Sequence, residues 1–293
     1  MTRFDTSPQA LFDPGAASSY FDAVHRPELA FAPAAAEFTP VNAWYLAELS
    51  RLIYNKADDH GTFLESVGLR VRASFEQRGV QCGIVEGSAA EGGPFRVVVF
   101  RGTDNLKNWL TNLDVRLEPW RGGGRVHLGF RNALDRVWPE VEDCLSAWEG
   151  RIVFAGHSLG GALATLAASA RPPDAVYTFG SPRVGDSEFA RTLSDVRLFR
   201  VINALDMVTG VPPADPPSPF RHAGDRYWMT EENELVVEPQ SEDAAKTGVL
   251  RFLPQEPGKW KELFGTFTQR FTDHAPVNYV ARLERLMDTE RRQ

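Results

Sequence analysis

Ser158 stands at the centre of Gly156-His157-Ser158-Leu159-Gly160, a Gly-x-Ser-x-Gly run. A hydroxyl between glycines at that spacing suits nucleophilic attack. A strand that turns at once into a helix forces its corner residue into strained backbone angles, and glycines on either side let the neighbouring segments pass closely. The hydroxyl is lifted clear of the sheet, and the free N–H groups at the helix start point toward the reacting oxygen. The run also occurs by chance, and a tight turn with a capping serine would produce it. Its setting argues for the nucleophile: Ile152-Val153-Phe154 is a clean apolar strand before it, and GALATLAASA is a small, apolar helix after it.

A serine hydroxyl needs a base, and the base needs an acid that holds one tautomer and stabilises its charged form. With the nucleophile on such a turn, the chain order is Ser, acid, His. His222 and His274 both qualify by order. His274, in FTDHAPVNY at the start of the last predicted helix, is the favoured base, because a loop–helix junction swings little and reaches over the sheet's carboxyl edge. His222, in FRHAGDRYW, reads otherwise as a buried histidine bonded to backbone or carboxylate near the site. Asp206 directly follows a predicted strand, 198–203, and is the favoured acid. Asp186 competes but reads as a helix cap, and Asp215, amid prolines, as a solvated turn.

An oxyanion hole needs two backbone donors. The N–H of Leu159 is one. The loop Phe100-Arg101-Gly102-Thr103, after an earlier strand, supplies the other, and Thr103 can add its hydroxyl. Residues 104–113, DNLKNWLTNL, follow at once, with Leu106, Trp109, Leu110 and Leu113 at helical spacing. That pattern fits a short amphipathic lid over an apolar cleft and equally a surface helix packed on the core.

The elements that must position these groups are legible in outline. Thr39-Pro40 opens a helix that runs through residue 55. Residues 73–87 form a hairpin around an Arg-Gly turn. FRVVVF at 95–100 suits a strand buried on both faces. Residues 127–148 make a long amphipathic helix, 151–155 a strand, and 175–180 and 198–203 two more. Alternating strand and helix predict a mostly parallel sheet covered by helices, an α/β fold. Residues 211–219 (VPPADPPSP) are an extended loop, 231–258 are loop-rich, and 259–271 and 273–287 are two closing helices. Trp260, Leu263, Phe264 and Phe267 either line the cleft or pack in the core. Residues 1–39 read as an arm that wraps the domain or moves, and 40–290 as one domain.

Composition narrows the function. Lys and Arg number 32 against 39 Asp and Glu, giving a formal charge of −7. That balance offers nucleic acid no footprint and anionic membranes little attraction, so any lipid contact is local and apolar. Two cysteines, Cys82 and Cys144, exclude a disulfide scaffold, and two unpaired thiols are the better reading. No apolar run is long enough to span a bilayer. The first residues carry no apolar leader, which leaves the cytoplasm, or secretion if a leader has been removed.

Taken together, FRGTDNLKNWLTNLDV, VHLGF at 126–130, FAGHSLGGALATLAA, YTFGSPRVGD at 177–186, RVINALDMVTGVPP at 200–213 and DHAPVNYV at 273–280 resemble the class 3, fungal-type lipase family. The resemblance runs from about residue 40 to about residue 285. It implies an α/β-hydrolase core with a Ser158-Asp206-His274 triad, Thr103 and Leu159 at the oxyanion hole, a lid after Thr103, no metal and no organic cofactor. In such proteins the histidine of the FRHAGDRYW-like segment is a structural neighbour. The acid motif departs from the family's Asp-x-Val-Pro: here Asp206-Met207-Val208-Thr209-Gly210 delays the prolines to 212 and 213. The secreted relatives carry leaders and disulfides, and neither is visible here. The expected reaction is hydrolysis of a lipid ester, most readily an acylglycerol, at a lipid–water interface. Phospholipase A1, soluble short-chain esterase and acyl-transfer activities would use the same residues. A binding protein on the same fold, without catalysis, is the rival of another class.

Overall fold

The computed structural model describes residues 4, 5, 7, 10, 20, 21, 30–55, 61, 63–103, 115–214, 219–240 and 272–290. Eight strands form the main sheet: β1 (Arg70–Gln77), β2 (Val80–Ala89), β3 (Gly93–Phe100), β6 (Arg151–His157), β7 (Ala175–Phe179), β9 (Leu198–Asn203), β11 (Asp225–Met229) and β12 (Leu235–Glu238), in the spatial order β1-β2-β3-β6-β7-β9-β11-β12. The middle five run parallel, and β1, β2 and β12 add antiparallel edges. The Arg78-Gly79 turn of the predicted hairpin holds φ of 50° and 78°, the left-handed pair that a two-residue hairpin turn requires.

The parallel strands are apolar on both faces because both are covered. Val97, Val99, Val153 and Ala155 enter one apolar layer, and Val98, Phe100, Ile152 and Phe154 the other, with the period of two that a strand imposes. Helices α1 (Pro40–Leu52) and α5 (Pro276–Glu290) cover the first layer; α2 (Leu128–Ser146) and α3 (Leu159–Ala170) cover the second. Along α3 the run of small residues lets the helix pack close to the sheet, and every residue from Gly160 to Ala168 is buried.

Several boundaries differ from the sequence reading. Helix α1 stops at Leu52, short of residue 55. The closing helix starts at Pro276, not at 273; proline lacks the N–H that a first helical position leaves unused. The polar stretch 231–258 holds a strand, β12, whose alternation is short and half-exposed. A second sheet escaped the sequence reading, in the order β10 (Phe220–Arg221), β8 (Gly185–Asp186), β5 (Arg125–His127), β4 (Leu117–Pro119). Strands of two or three residues are too short for periodicity to register. The helix expected at 259–271, with Trp260, Leu263, Phe264 and Phe267, lies outside the described residues.

Part of the N-terminal stretch is tied down. Phe21 is buried, its N–H donates to Glu48 Oε1 at 3.0 Å, and the Asp5 N–H donates to Asn278 Oδ1 at 2.8 Å. Glu48 forms a fully buried ion pair with Arg51, and the Arg51 guanidinium lies 4.0 Å from the centre of the Tyr20 ring. Both cysteines are free thiols, Cys82 buried and Cys144 half-buried. Among the described residues no helix is long and apolar enough to cross a membrane.

Candidate active site

β6 ends at His157 and α3 begins at Leu159, so Ser158 alone makes the corner. Its backbone sits at φ 59° and ψ −126°, a conformation that costs a non-glycine residue on the order of 1–3 kcal/mol. The Ser158 N–H donates to Phe179 O at 2.8 Å and anchors the turn. A side chain at Gly156 would overlap the Gly160 backbone, and one at Gly160 would overlap Phe100 O. The glycines therefore do what their spacing predicted.

Asp206 follows β9 and caps a single 3₁₀ turn, Met207–Gly210. Its Oδ1 accepts the Val208 N–H at 2.8 Å. Its Oδ2 accepts from His274 Nδ1 at 2.8 Å and from the Tyr279 hydroxyl at 2.6 Å. A carboxylate oxygen can only accept, so Nδ1 carries the ring proton and Nε2 is left with its lone pair. His274 sits just before α5, and Asp206, His274 and Ser158 are all buried. Among the described residues, neither Ser158 Oγ nor His274 Nε2 has a hydrogen-bond partner. A buried donor and a buried acceptor left open together mark a candidate site, since unpaired burial otherwise costs stability.

Gly180 makes the Asp206–His274 contact possible. Its φ is +61°, and a Cβ there would stand 2.6 Å from Asp206 Oδ2 and 2.8 Å from His274 Nδ1. His157 secures the base from behind. Its Nε2 faces the His274 carbonyl at 2.6 Å and must donate, so Nδ1 accepts from the Tyr54 hydroxyl at 3.0 Å. Burial, then the neighbouring His274, hold His157 well below the usual histidine range, so it stays neutral. Burial and the Asp206 charge push Tyr279 well above the usual tyrosine range, which keeps its proton on the hydroxyl.

The loop 100–103 runs against this corner. Gly160 packs on Phe100 O, and a Cβ at Gly102 would stand 2.8 Å from His157 O and overlap the Tyr54 hydroxyl. Thr103 thus closes a loop in backbone contact with the turn that carries Leu159. Leu106, Trp109 and Leu110 lie outside the described residues, as does Asp215. Asp186 caps the short helix α4 (Ser187–Arg191), accepting the Phe189 N–H at 2.9 Å. His222 Nε2–H donates to Thr209 O at 2.8 Å and so steadies the acid loop. Arg183 does the same from the other side, with Nη1 donating to Gly210 O at 2.6 Å and Pro212 O at 2.7 Å.

The sequence model of the family described as Lipase (class 3) matches residues 97–215. Over that stretch the chain is similar to the class 3 lipase family. Among curated proteins, the secreted mono- and diacylglycerol lipase 1 of Fusarium solani is 36% identical over 146 residues, covering 45% of this chain and 43% of the relative. A lipase of Rhizomucor miehei is 33% identical over 165 residues, 50% of this chain and 45% of the relative. The chain thus spans under half the length of the curated relatives it matches. A solved fungal lipase–inhibitor complex superposes with a TM-score of 0.60 at 25% identity, over 75% of this chain and 94% of that one. The fold is that of the α/β-hydrolases.

The matched stretch contains Thr103, Ser158, Leu159 and Asp206, whereas His274, Tyr279 and Tyr54 lie beyond its ends. Tyr54, His157, Gly180 and Tyr279 were not singled out as site residues from the sequence. Gly180 alone carried a signal, a glycine at the end of a predicted strand. The other three look like ordinary members of helix faces or of the elbow motif, and only contact reveals their role.

Proposed function

We propose that this protein hydrolyses carboxylic esters, with acylglycerols as its substrate class. The reading rests on one observation above all: a buried carboxylate holds the His274 Nδ1 proton, leaving Nε2 as an open base in the same site as an unpaired serine hydroxyl. His274 takes the Ser158 proton as Oγ attacks the ester carbonyl. The amides of Leu159 and of the Thr103 loop receive the developing oxyanion. His274 then protonates the departing alcohol, and water repeats the cycle on the acyl-enzyme, releasing the acid and restoring Ser158. Asp206 stays ionised throughout and stabilises the imidazolium.

The name of the Fusarium relative, a mono- and diacylglycerol lipase, supports acylglycerols as the substrate class. Leu106, Trp109 and Leu110 are assigned to a lid that offers its apolar face to a lipid surface. Residues 40–290 are taken as the catalytic unit, with 1–39 as its arm. The two free thiols favour the reducing cytoplasm; recovery of the enzyme from the medium with a cleaved leader would overturn that location. A fluorophosphonate probe should label the wild type and not Ser158→Ala, whose kcat on a soluble ester should fall by ~10⁶-fold. Equal labelling of both proteins would sink the hydrolase. Activity on emulsified triacylglycerol that does not exceed that on dissolved short-chain esters would sink the lipase substrate alone.

A further inference from the structure

The segment that carries the base is held carbonyl by carbonyl. Thr272, Asp273 and His274 follow one another in the chain, and the carbonyl of each accepts from a side chain on a different element. Asn278 Nδ2, on α5, donates to Thr272 O at 2.7 Å. Asn203 Nδ2, at the end of β9, donates to Asp273 O at 2.9 Å. His157 Nε2, at the end of β6, donates to His274 O at 2.6 Å. The Ala275 N–H also donates to Thr272 O, at 3.0 Å, and closes a four-residue turn with His274 in its third position. Each peptide fixed in this way removes freedom from the imidazole that must take the Ser158 proton.

The Asn278 amide is itself set by the N-terminal arm. Its Oδ1 accepts the Asp5 N–H at 2.8 Å, and its Nδ2 donates to Asp5 O at 2.7 Å. A backbone N–H can only donate and a backbone carbonyl only accept. The pair therefore allows the amide one orientation, the one that also aims Nδ2 at Thr272 O. Asn278 is 2% exposed, so a turned amide would leave buried polar atoms unsatisfied. Contacts on either side keep Asp5 in place. Ala10 packs with Ala275 and Val277 in a small apolar cluster of its own. The guanidinium groups of Arg282 and Arg285, on α5, lie 4.6 and 4.0 Å from the centre of the Phe4 ring.

We propose that Asn278 is a positioning residue for His274, and that the arm, through the Asp5 backbone, is the strap that sets it. Asn278 acts through the Thr272 carbonyl, on the turn that presents the imidazole. The proposal rests on the reading of His274 as the general base. It makes the arm around Asp5 a working part of the catalytic unit, although the triad lies wholly within residues 40–290. A strap that only added stability would leave the turnover of the folded protein unchanged.

The test uses the full chain with three substitutions. Asp5→Pro deletes the N–H that Asn278 Oδ1 accepts. Asp5→Asn keeps that N–H and also the side-chain oxygen that accepts the Ser7 N–H. Asn278→Ala deletes the clamp itself. On a soluble ester, Asp5→Pro should lower kcat by roughly fivefold to tenfold and Asn278→Ala by ~50-fold, since a misplacement of about 1 Å costs roughly a hundredfold. In both, KM should stay within about twofold of wild type, and Asp5→Asn should match the wild type. Hydrogen exchange at the Ala275 amide should quicken about tenfold in Asp5→Pro. Should Asn278→Ala fail to fold, Asp5→Pro, changed at an exposed position, still decides the matter. A folded Asp5→Pro of wild-type kcat overturns the proposal. So does an Asp5→Asn as slow as Asp5→Pro, or a loss that appears in KM alone. A wild type that cleaves no ester and takes no fluorophosphonate overturns the hydrolase reading instead, and the Ala275 exchange then decides whether the strap holds the turn.

Discussion

Asp206 Oδ2 receives two donors, and they do different work. The His274 proton fixes the tautomer; the Tyr279 hydroxyl holds the carboxylate from the opposite side at 2.6 Å. A hydrogen bond to a charged acceptor is worth about 1.5–3 kcal/mol, but part of that is retained if the carboxylate keeps its other bonds. Tyr279→Phe should therefore lower kcat about tenfold while leaving KM unchanged. Steady-state kinetics on a soluble ester checks this. A rise in KM with kcat intact would instead put the hydroxyl in substrate binding.

At the scale of elements, the site is a meeting of strand ends. β6 delivers Ser158, β9 delivers Asp206, and β7 ends at Phe179, so that Gly180 passes between the acid and the base. The left-handed backbone there leaves no room for a Cβ. Gly180→Ala should cost about 1–2 kcal/mol for the backbone alone. It should also force Asp206 and His274 apart, and a misplacement of about 1 Å lowers kcat by roughly a hundredfold. Thermal unfolding and kinetics on the purified variant separate the two effects. A variant of wild-type kcat would mean that the acid–base contact is not what limits turnover. The core layers behind these strand ends are ordinary by comparison: Phe154, wholly buried between β6 and α2, should cost about 3–5 kcal/mol as Phe154→Ala.

Across the whole molecule, the closing segment couples stability to pH. Asp273, next to the base, accepts the Leu205 N–H at 3.1 Å and is pushed up to about 6, chiefly by burial. Its unfolded value is 3.8. Between those values the folded chain holds a proton that the unfolded chain has released, so this group makes stability fall as pH rises through the window. Asp273→Asn removes that loss. Its melting temperature relative to wild type should be higher at pH 7.5 than near pH 2.5, where both states of the wild type are protonated. A difference that is flat across this range would show that Asp273 is paired as a carboxylate. The Asn203 side-chain N–H to Asp273 O and the Arg282 Nε–H to Asn203 Oδ1 tie the same segment to β9.

What residue order determined by itself was local or periodic. Gly156 and Gly160 around Ser158, the both-faces apolar run at 95–100 and the small residues of α3 each have one economical conformation, so the turn, the parallel strands and the buried helix were readable. Asp206 follows a strand and His274 precedes a helix, so their places at the sheet's edge could be read from the sequence. The tertiary structure alone decided what crosses the chain. Tyr54, His157 and Tyr279 lie 103, 117 and 73 residues from the partners they bond, His157, His274 and Asp206. Nothing in their neighbours marks those contacts, because a hydrogen bond depends on angstroms of separation and not on sequence distance.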